Sequence, residues 1–149
     1  MSEIAFYHLT KFSLEQALPK LLEKTLQVGK RAHVQVANDD KAEKLTDTLW
    51  TYQAESWLPH GAKKDGHPEK QPIWISPEAV NENGASFLFL TDGTDNPELA
   101  SFERCFVVFD GRSDMAVQKA RSQWKTFKED GHDLTYWQQT DTGGWEKKA

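Results

Sequence analysis

The chain has 149 residues, of which 38% are hydrophobic, 11% aromatic and 28% charged. That length fits one domain, and the aromatic-rich composition supplies enough apolar surface for a core, which excludes an intrinsically disordered chain. The 18 Lys and Arg residues against 23 Asp and Glu residues give a formal net charge of −5. A net negative charge opposes non-specific capture of a nucleic-acid backbone.

The apolar runs in the sequence are short. Those at Phe87–Leu90 and Cys105–Phe109 fall well below the roughly 20 residues that a membrane-spanning helix needs. The first residues lack the basic region and long apolar run of a signal peptide, and the single cysteine, Cys105, cannot form an internal disulfide. We therefore expect a cytoplasmic protein.

Strand-like and helix-like segments alternate in the first third of the chain. The pattern predicts a strand at Ile4–Leu9, a helix after Ser13, a strand at Ala32–Val36 and a second helix capped by Asn38 or Asp39. In the first helix, Ser13 and Gln16 form a capping-box pattern and Gly29 marks the end. Pro19 interrupts this pattern, so the helix either kinks there or begins at the proline.

The rest of the chain continues the alternation after a break. Residues 57–72 hold prolines, glycines and charged residues, which predicts a surface loop. The later segments predict three strands, a long helix and a last strand: Ile73–Ile75, Phe87–Leu90, Cys105–Phe109, Ser113–Glu129 and Leu134–Trp137. Cys105–Phe109 is apolar on both faces, which is typical of an interior strand of a parallel sheet.

This order of elements predicts a three-layer α/β/α sandwich on a mostly parallel, mixed sheet. We expect a single domain over residues 1–140, followed by a polar C-terminal tail at residues 141–149.

The common catalytic and cofactor motifs are missing from the sequence. There is no G-x-G-x-x-G, no P-loop and no G-x-S-x-G elbow. The five histidines are scattered singly, without zinc-like pairs, at His8, His33, His60, His67 and His132. We therefore predict no catalytic residue, no metal site and no cofactor.

The last predicted helix carries an unusual stripe of side chains. Arg121, Lys125 and Lys128 recur at helical spacing on one face, with Trp124 beside them. Ala116, Ala120, Gln123 and Phe127 follow the helical period on the face that we expect to meet the sheet. The cationic stripe has two interpretations: a solvated helix face, or a cationic and aromatic pocket for an acidic peptide with an apolar tip.

The sequence resembles the chi subunit of the bacterial DNA polymerase III holoenzyme over nearly its whole length. Five segments carry the resemblance by their order and spacing: Ala5-Phe-Tyr, Gly29-Lys-Arg, Asp47-Thr-Leu-Trp50, Ala54-Glu-Ser-Trp-Leu-Pro-His60 and Ala120-Arg-Ser-Gln-Trp-Lys-Thr-Phe-Lys128. The resemblance implies a clamp-loader adaptor without catalytic activity. In that family the last long helix binds the acidic C-terminal tail of single-stranded DNA-binding protein, which ends in Phe.

The family's tail site follows the pattern Arg-x-x-aromatic-Lys. It corresponds here to Arg121, Trp124 and Lys125, with Phe127 and Lys128 adjoining. Tryptophan stands where the family pattern has tyrosine, which keeps a stacking wall and loses a hydroxyl. Val117 stands where the family has a further lysine, which predicts a weaker basic patch.

A second interface is also implied by the resemblance. The family uses an aromatic residue just before Pro-His, which corresponds here to Trp57 with Pro59 and His60. Its partner is the psi subunit of the clamp loader, an accessory helicase or no protein at all. The alternative is that Trp57 is a partly buried core residue that anchors the loop.

Two functions of other classes remain open on the sequence alone. One is a single-stranded nucleic-acid-binding module that uses Arg121, Lys125, Lys128 and the aromatic residues as a stacking platform. The other is a small α/β enzyme with an unrecognised site. No heptad repeat demands self-association, so we expect a monomer or a heterodimer.

Overall fold

A computed structural model describes residues 3–50, 60–62 and 67–149. Its strands are β1 (Glu3–Leu9), β2 (Ala32–Gln35), β3 (His60–Ala62), β4 (Ile73–Ser76), β5 (Phe87–Leu90), β6 (Arg104–Asp110), β7 (Asp133–Gln139) and β8 (Trp145–Lys147). Its α-helices are α1 (Leu14–Gln27), α2 (Asp39–Trp50) and α3 (Asp114–Glu129).

The eight strands form one sheet in the order β3-β4-β2-β5-β6-β1-β7-β8. Strands β1 to β7 pair in parallel, and only β8 runs antiparallel, against β7. Strand β6 lies between β5 and β1, and its residues from Cys105 to Phe109 are all buried. The prediction of an interior parallel strand from its continuous apolar run is therefore confirmed.

The helices cover both faces of the sheet, which confirms the three-layer α/β/α architecture. Apolar residues of α1 and α2, such as Leu22 and Leu45, pack into one core cluster with Val34 and Phe89 of the sheet. Ala120 of α3 belongs to a second cluster, which includes Phe6 of β1 and other residues from the opposite face. Alternate residues of each strand point to opposite faces, so one sheet supports both clusters.

Helix α1 begins at Leu14, which excludes a helix that begins at Pro19. The backbone N–H of Ser13 donates to Gln16 Oε1 at 2.9 Å, as the capping-box pattern predicts. Pro19 lies inside the helix and is buried with Leu18 and Leu22. Burial of these apolar side chains on both sides of the proline holds the helix together despite the backbone hydrogen bond that proline cannot donate.

Two short strands occur where the sequence predicts none. Strand β3 lies inside the predicted loop and pairs with β4, with Gly61 opposite Trp74. Strand β8 lies inside the predicted polar tail and pairs with β7, with Glu146 opposite Gln138. Each is an edge strand of three residues, too short to show an alternating pattern, and each is defined by its partner strand. None of the described helices is long and apolar enough to cross a membrane.

Candidate binding groove on the last helix

Packing against the sheet sets the rotation of helix α3. The hydroxyl of Ser113 caps the helix by accepting from the backbone N–H of Ala116 at 3.3 Å. Further along, Ala120 and Gln123 are buried, and Gln123 Nε2 donates to the Thr94 carbonyl at 3.1 Å and to Asp95 Oδ1 at 2.9 Å. The sheet-facing side predicted from the helical period is therefore confirmed, and the neighbouring face points outward.

The outward face carries the three predicted cations. Arg121, Lys125 and Lys128 are exposed, and none has a carboxylate partner among the described residues. Lys119 of the same helix differs, because its Nζ lies 2.8 Å from Asp95 Oδ2. Partial burial on its own raises the pKa of Asp95, but the hydrogen bonds from Lys119 and Gln123 together with the Lys119 charge outweigh it and lower that pKa.

A groove of about 390 Å³ lies between α3 and the end of the sheet that carries β7 and β8. It is lined by Phe109, Val117, Ala120, Arg121, Trp124, Tyr136 and Ala149. Most of these side chains are apolar, and Arg121 is the one that carries a charge. The lining therefore suits a ligand with an apolar or aromatic group next to a negative charge.

Trp124 forms one wall of the groove and is held there by other aromatic rings. Its ring centroid lies 5.3 Å from that of Phe6 and 5.9 Å from that of Tyr136, both in edge-to-face geometry. The side chain is only half buried, so one part of the indole packs on the core while another lines the groove. Edge-to-face contacts of this kind fix the orientation of a ring as well as its position.

Tyr136 is a lining residue to which the sequence analysis assigns no role. Its hydroxyl is hydrogen-bonded to Nδ1 of His8 on the neighbouring strand. Partial burial raises the pKa of Tyr136, and the positive charge of Arg121 lowers it to a smaller extent. The alternation of side chains along the strand could have identified Tyr136, because Leu134 and Tyr136 lie on the same face of β7, which is the α3 side of the sheet.

The five residues predicted for the tail site have three different surroundings in the structure. Arg121 and Trp124 line the groove, and Lys125 and Lys128 extend the exposed positive face along α3 beyond it. Phe127 is not among the lining residues. It packs into the core cluster under α3, with its ring centroid 6.2 Å from that of Phe6.

The residues predicted for the second interface are mostly outside the described part of the chain. Trp57 and Pro59 belong to the undescribed range 51–59. His60 is the first residue of β3, where its backbone pairs opposite Ile73 of β4.

A larger cavity, of about 610 Å³, lies at the carboxyl ends of β1, β5 and β6. Ligands often bind at this end of an open α/β sheet. Its charged side chains are already paired: Lys41 with Asp92 at 3.3 Å, Lys119 with Asp95 at 2.8 Å and Asp110 with Arg112 at 3.0 Å. Each of these charged side chains therefore already has a partner of opposite charge.

Neither the thiol of Cys105 nor the metal-ligating side chains in the described part of the chain form a reactive centre. Cys105 is fully buried, and burial raises the pKa of its thiol, which disfavours the nucleophilic thiolate. Among residues 3–50, 60–62 and 67–149 there is no group of three His, Cys, Asp or Glu side chains that would hold a metal ion.

Comparison with known proteins identifies the family. The family model described as "DNA polymerase III chi subunit, HolC" matches residues 1–135. The chain belongs to the chi subunit family of DNA polymerase III. It is 31% identical over 109 residues to a probable DNA polymerase III subunit chi of Rickettsia prowazekii, an alignment that covers 73% of this chain and 66% of the relative.

A second chi relative is more distant. The DNA polymerase III subunit chi of Escherichia coli is 23% identical over 122 residues, which cover 82% of this chain and 83% of that protein. Membership of the chi family places the chain among the accessory subunits of a replicative DNA polymerase.

Proposed function

We propose that this chain is a non-catalytic adaptor that binds the acidic C-terminal tail of single-stranded DNA-binding protein and connects it to the clamp loader of DNA polymerase III. The observation that carries the proposal is the groove beside α3, where an arginine without a carboxylate partner among the described residues stands next to an aromatic wall. Such an adaptor acts in the bacterial cytoplasm, where the replication machinery works.

The apolar part of the groove is suited to the terminal phenylalanine of the tail. Trp124 and Tyr136 stand at its sides, and Val117 and Ala120 contribute small aliphatic surfaces from α3. An aromatic ring gains both apolar burial and edge-to-face contacts in such a site. We expect the phenyl ring to contact the indole of Trp124.

The cations beside the groove are suited to the carboxylates of the tail. The Arg121 guanidinium lines the groove and can form two parallel hydrogen bonds to the terminal carboxylate of the tail. Lys125 and Lys128 lie further along the same exposed face, in a position to attract the preceding acidic residues. A site of this size with exposed charges is consistent with micromolar affinity, about −8 kcal/mol.

The second partner of the adaptor is the psi subunit of the clamp loader or an equivalent protein. We propose that this partner contacts Trp57, Pro59 and His60. The support is the family resemblance of the segment that ends at His60.

The proposal is tested by fluorescence anisotropy of a labelled acidic peptide that ends in Phe. We expect saturable binding to the wild type, weakened at least about tenfold by Arg121→Ala and about two- to fivefold by Lys125→Ala. The larger effect belongs to Arg121 because that side chain lines the groove, whereas Lys125 is exposed beyond it. Replacement of the terminal Phe by Ala in the peptide should abolish binding.

Lys119→Ala is the matched control for these variants. It removes one positive charge from the same helix, but from a lysine that is paired with Asp95 away from the groove. Its affinity for the peptide should equal that of the wild type. Absence of peptide binding by the wild type, or equal losses in all three variants, would overturn the proposal.

A further inference from the structure

The end of the chain forms a β-bulge opposite Tyr136. The backbone N–H groups of Lys148 and Ala149 both donate to the Tyr136 carbonyl, at 2.8 and 3.4 Å, and the Tyr136 N–H donates to the Ala149 carbonyl at 3.2 Å. Two residues of one strand therefore face a single residue of the other, which is the defining pattern of a bulge. Bulges of this kind redirect side chains at the edge of a sheet.

The bulge lies beside the groove next to α3. Tyr136 lies on the α3 side of the sheet, where its ring contacts Trp124, and Ala149 lines the groove with it. Glu146 is paired with Gln138, which is two residues from Tyr136 and so lies on the same face. Lys148 Nζ reaches Glu146 Oε1 at 3.3 Å, which places the ammonium group on that face too.

We propose that Ala149, beside Tyr136, completes the second wall of the groove and that Lys148 adds a cation at the edge of this wall that binds the acidic residues of the peptide. This inference rests on the proposed function and specifies how the same site selects its ligand. Three residues line the groove opposite α3: Phe109 of β6 lies within residues 1–135, where the family model matches, and Tyr136 and Ala149 lie beyond them. Two of the three residues of this wall therefore lie beyond the matched range.

The present partner of Lys148 does not prevent this role. The side chains of Lys148 and Glu146 are 45% and 62% exposed, and an ion pair so exposed contributes little free energy. A peptide carboxylate can replace Glu146 as the partner of Lys148 at small cost. Glu146 itself then repels the acidic peptide.

The test compares two adjacent lysines that point to opposite faces of the sheet. Lys147 is paired with Trp137, whose ring packs against the core cluster on the α1 side. Lys148→Gln and Lys147→Gln therefore change the net charge equally, but only the first removes a cation from the groove side. We expect Lys148→Gln to weaken binding of the labelled acidic peptide about two- to fivefold and Lys147→Gln to leave it at the wild-type level.

Glu146→Gln should change the affinity for the peptide in the opposite direction. Removal of its carboxylate frees Lys148 and eliminates a repulsion, so we expect the peptide to bind about two- to threefold more tightly. All three variants alter exposed side chains, and a thermal melt followed by circular dichroism checks that each remains folded.

The outcomes distinguish this inference from the function on which it rests. If the wild type binds, Arg121→Ala does not, and Lys148→Gln matches Lys147→Gln, the wall is refuted while the adaptor function stands. If the wild type itself does not bind the peptide, both proposals fail. Weaker peptide binding by Lys148→Gln, together with unchanged binding by Lys147→Gln, supports both proposals.

Discussion

Neighbouring residues with the same charge acquire different roles from their surroundings. Lys119 and Arg121 are two residues apart on α3, yet Lys119 is paired with Asp95 and Arg121 lines the groove without a carboxylate partner among the described residues. The helical period predicts that they point in different directions, but not that an aspartate from the loop after β5 meets only one of them.

Titration of the buried side chain of His33 should affect folding. It is fully buried on β2, and its Nε2 is hydrogen-bonded to the Glu78 carbonyl at 3.0 Å. Burial lowers the pKa of His33, and the contact with Glu78 raises it by less. The unfolded chain therefore binds a proton more readily than the folded protein does as the pH falls below the ordinary histidine pKa of about 6.5.

We predict that the free energy of unfolding decreases as the pH falls from about 7.5 to about 5.5, by at most about 1.4 kcal/mol per pH unit for this histidine. The stability that the neutral His33 contributes is fully present above its unfolded pKa and is lost below it. Urea denaturation at several pH values measures the slope. His33→Gln should reduce it; equal slopes in the two proteins would contradict the prediction.

At the scale of elements, α3 is both a structural support and the main part of the site. Its first turn is capped by Ser113, one side is buried against the sheet, and its middle carries Arg121 and Trp124. The residues that stabilise α3 and the residues that line the groove are thus different. Substitutions in one set should change stability, and substitutions in the other should change peptide binding.

Ser113→Ala should lower the free energy of unfolding by about 1 kcal/mol, because the backbone N–H of Ala116 loses its side-chain acceptor. Peptide affinity should stay within about twofold of the wild type, since the cap is about two turns away from Arg121. Denaturant unfolding and anisotropy measure the two quantities separately. Ser122→Ala, at an exposed position of the same helix, is the control and should not destabilise the protein. A large loss of affinity in Ser113→Ala would contradict this separation.

Elements with a strong local pattern could be predicted from the sequence, and elements without one could not. The continuous apolar run of β6 and the capped, periodic segments of α1 and α3 agree with the structure to within a few residues. Strands β3 and β8 are three residues each, and their hydrogen bonds go to β4 and β7. These two segments are therefore strands because they pair with β4 and β7, and their own sequences do not predict it.

At the scale of the whole molecule, the overall charge and the local charge have opposite signs. The formal net charge is −5, but the outward face of α3 presents Arg121, Lys125 and Lys128. At physiological ionic strength the Debye length is about 8 Å, so a ligand in the groove experiences these cations more strongly than the distant acidic residues. The acidic remainder of the surface still repels an extended polyanion.

We therefore predict that a single-stranded oligonucleotide without the peptide shows no saturable binding at protein concentrations that saturate the labelled peptide. Peptide affinity should decrease as salt is raised from low to physiological concentration, because the contacts are exposed and screened. Anisotropy with both probes over a salt series measures this. Tight oligonucleotide binding that Arg121→Ala abolishes would instead favour a nucleic-acid-binding function.

The sequence by itself determined the fold class, which residues of α3 share its sheet-facing side and the composition of its cationic face, because periodicity and capping act between residues close together in the chain. Only the tertiary structure decided that Tyr136 and Ala149 meet Trp124 and Arg121 across a groove. That meeting depends on the register of β7 against β1 and β8 and on the bulge at Lys148 and Ala149. The pairing of β7 with β1 joins segments that are far apart in the chain, so it cannot be read from neighbouring residues.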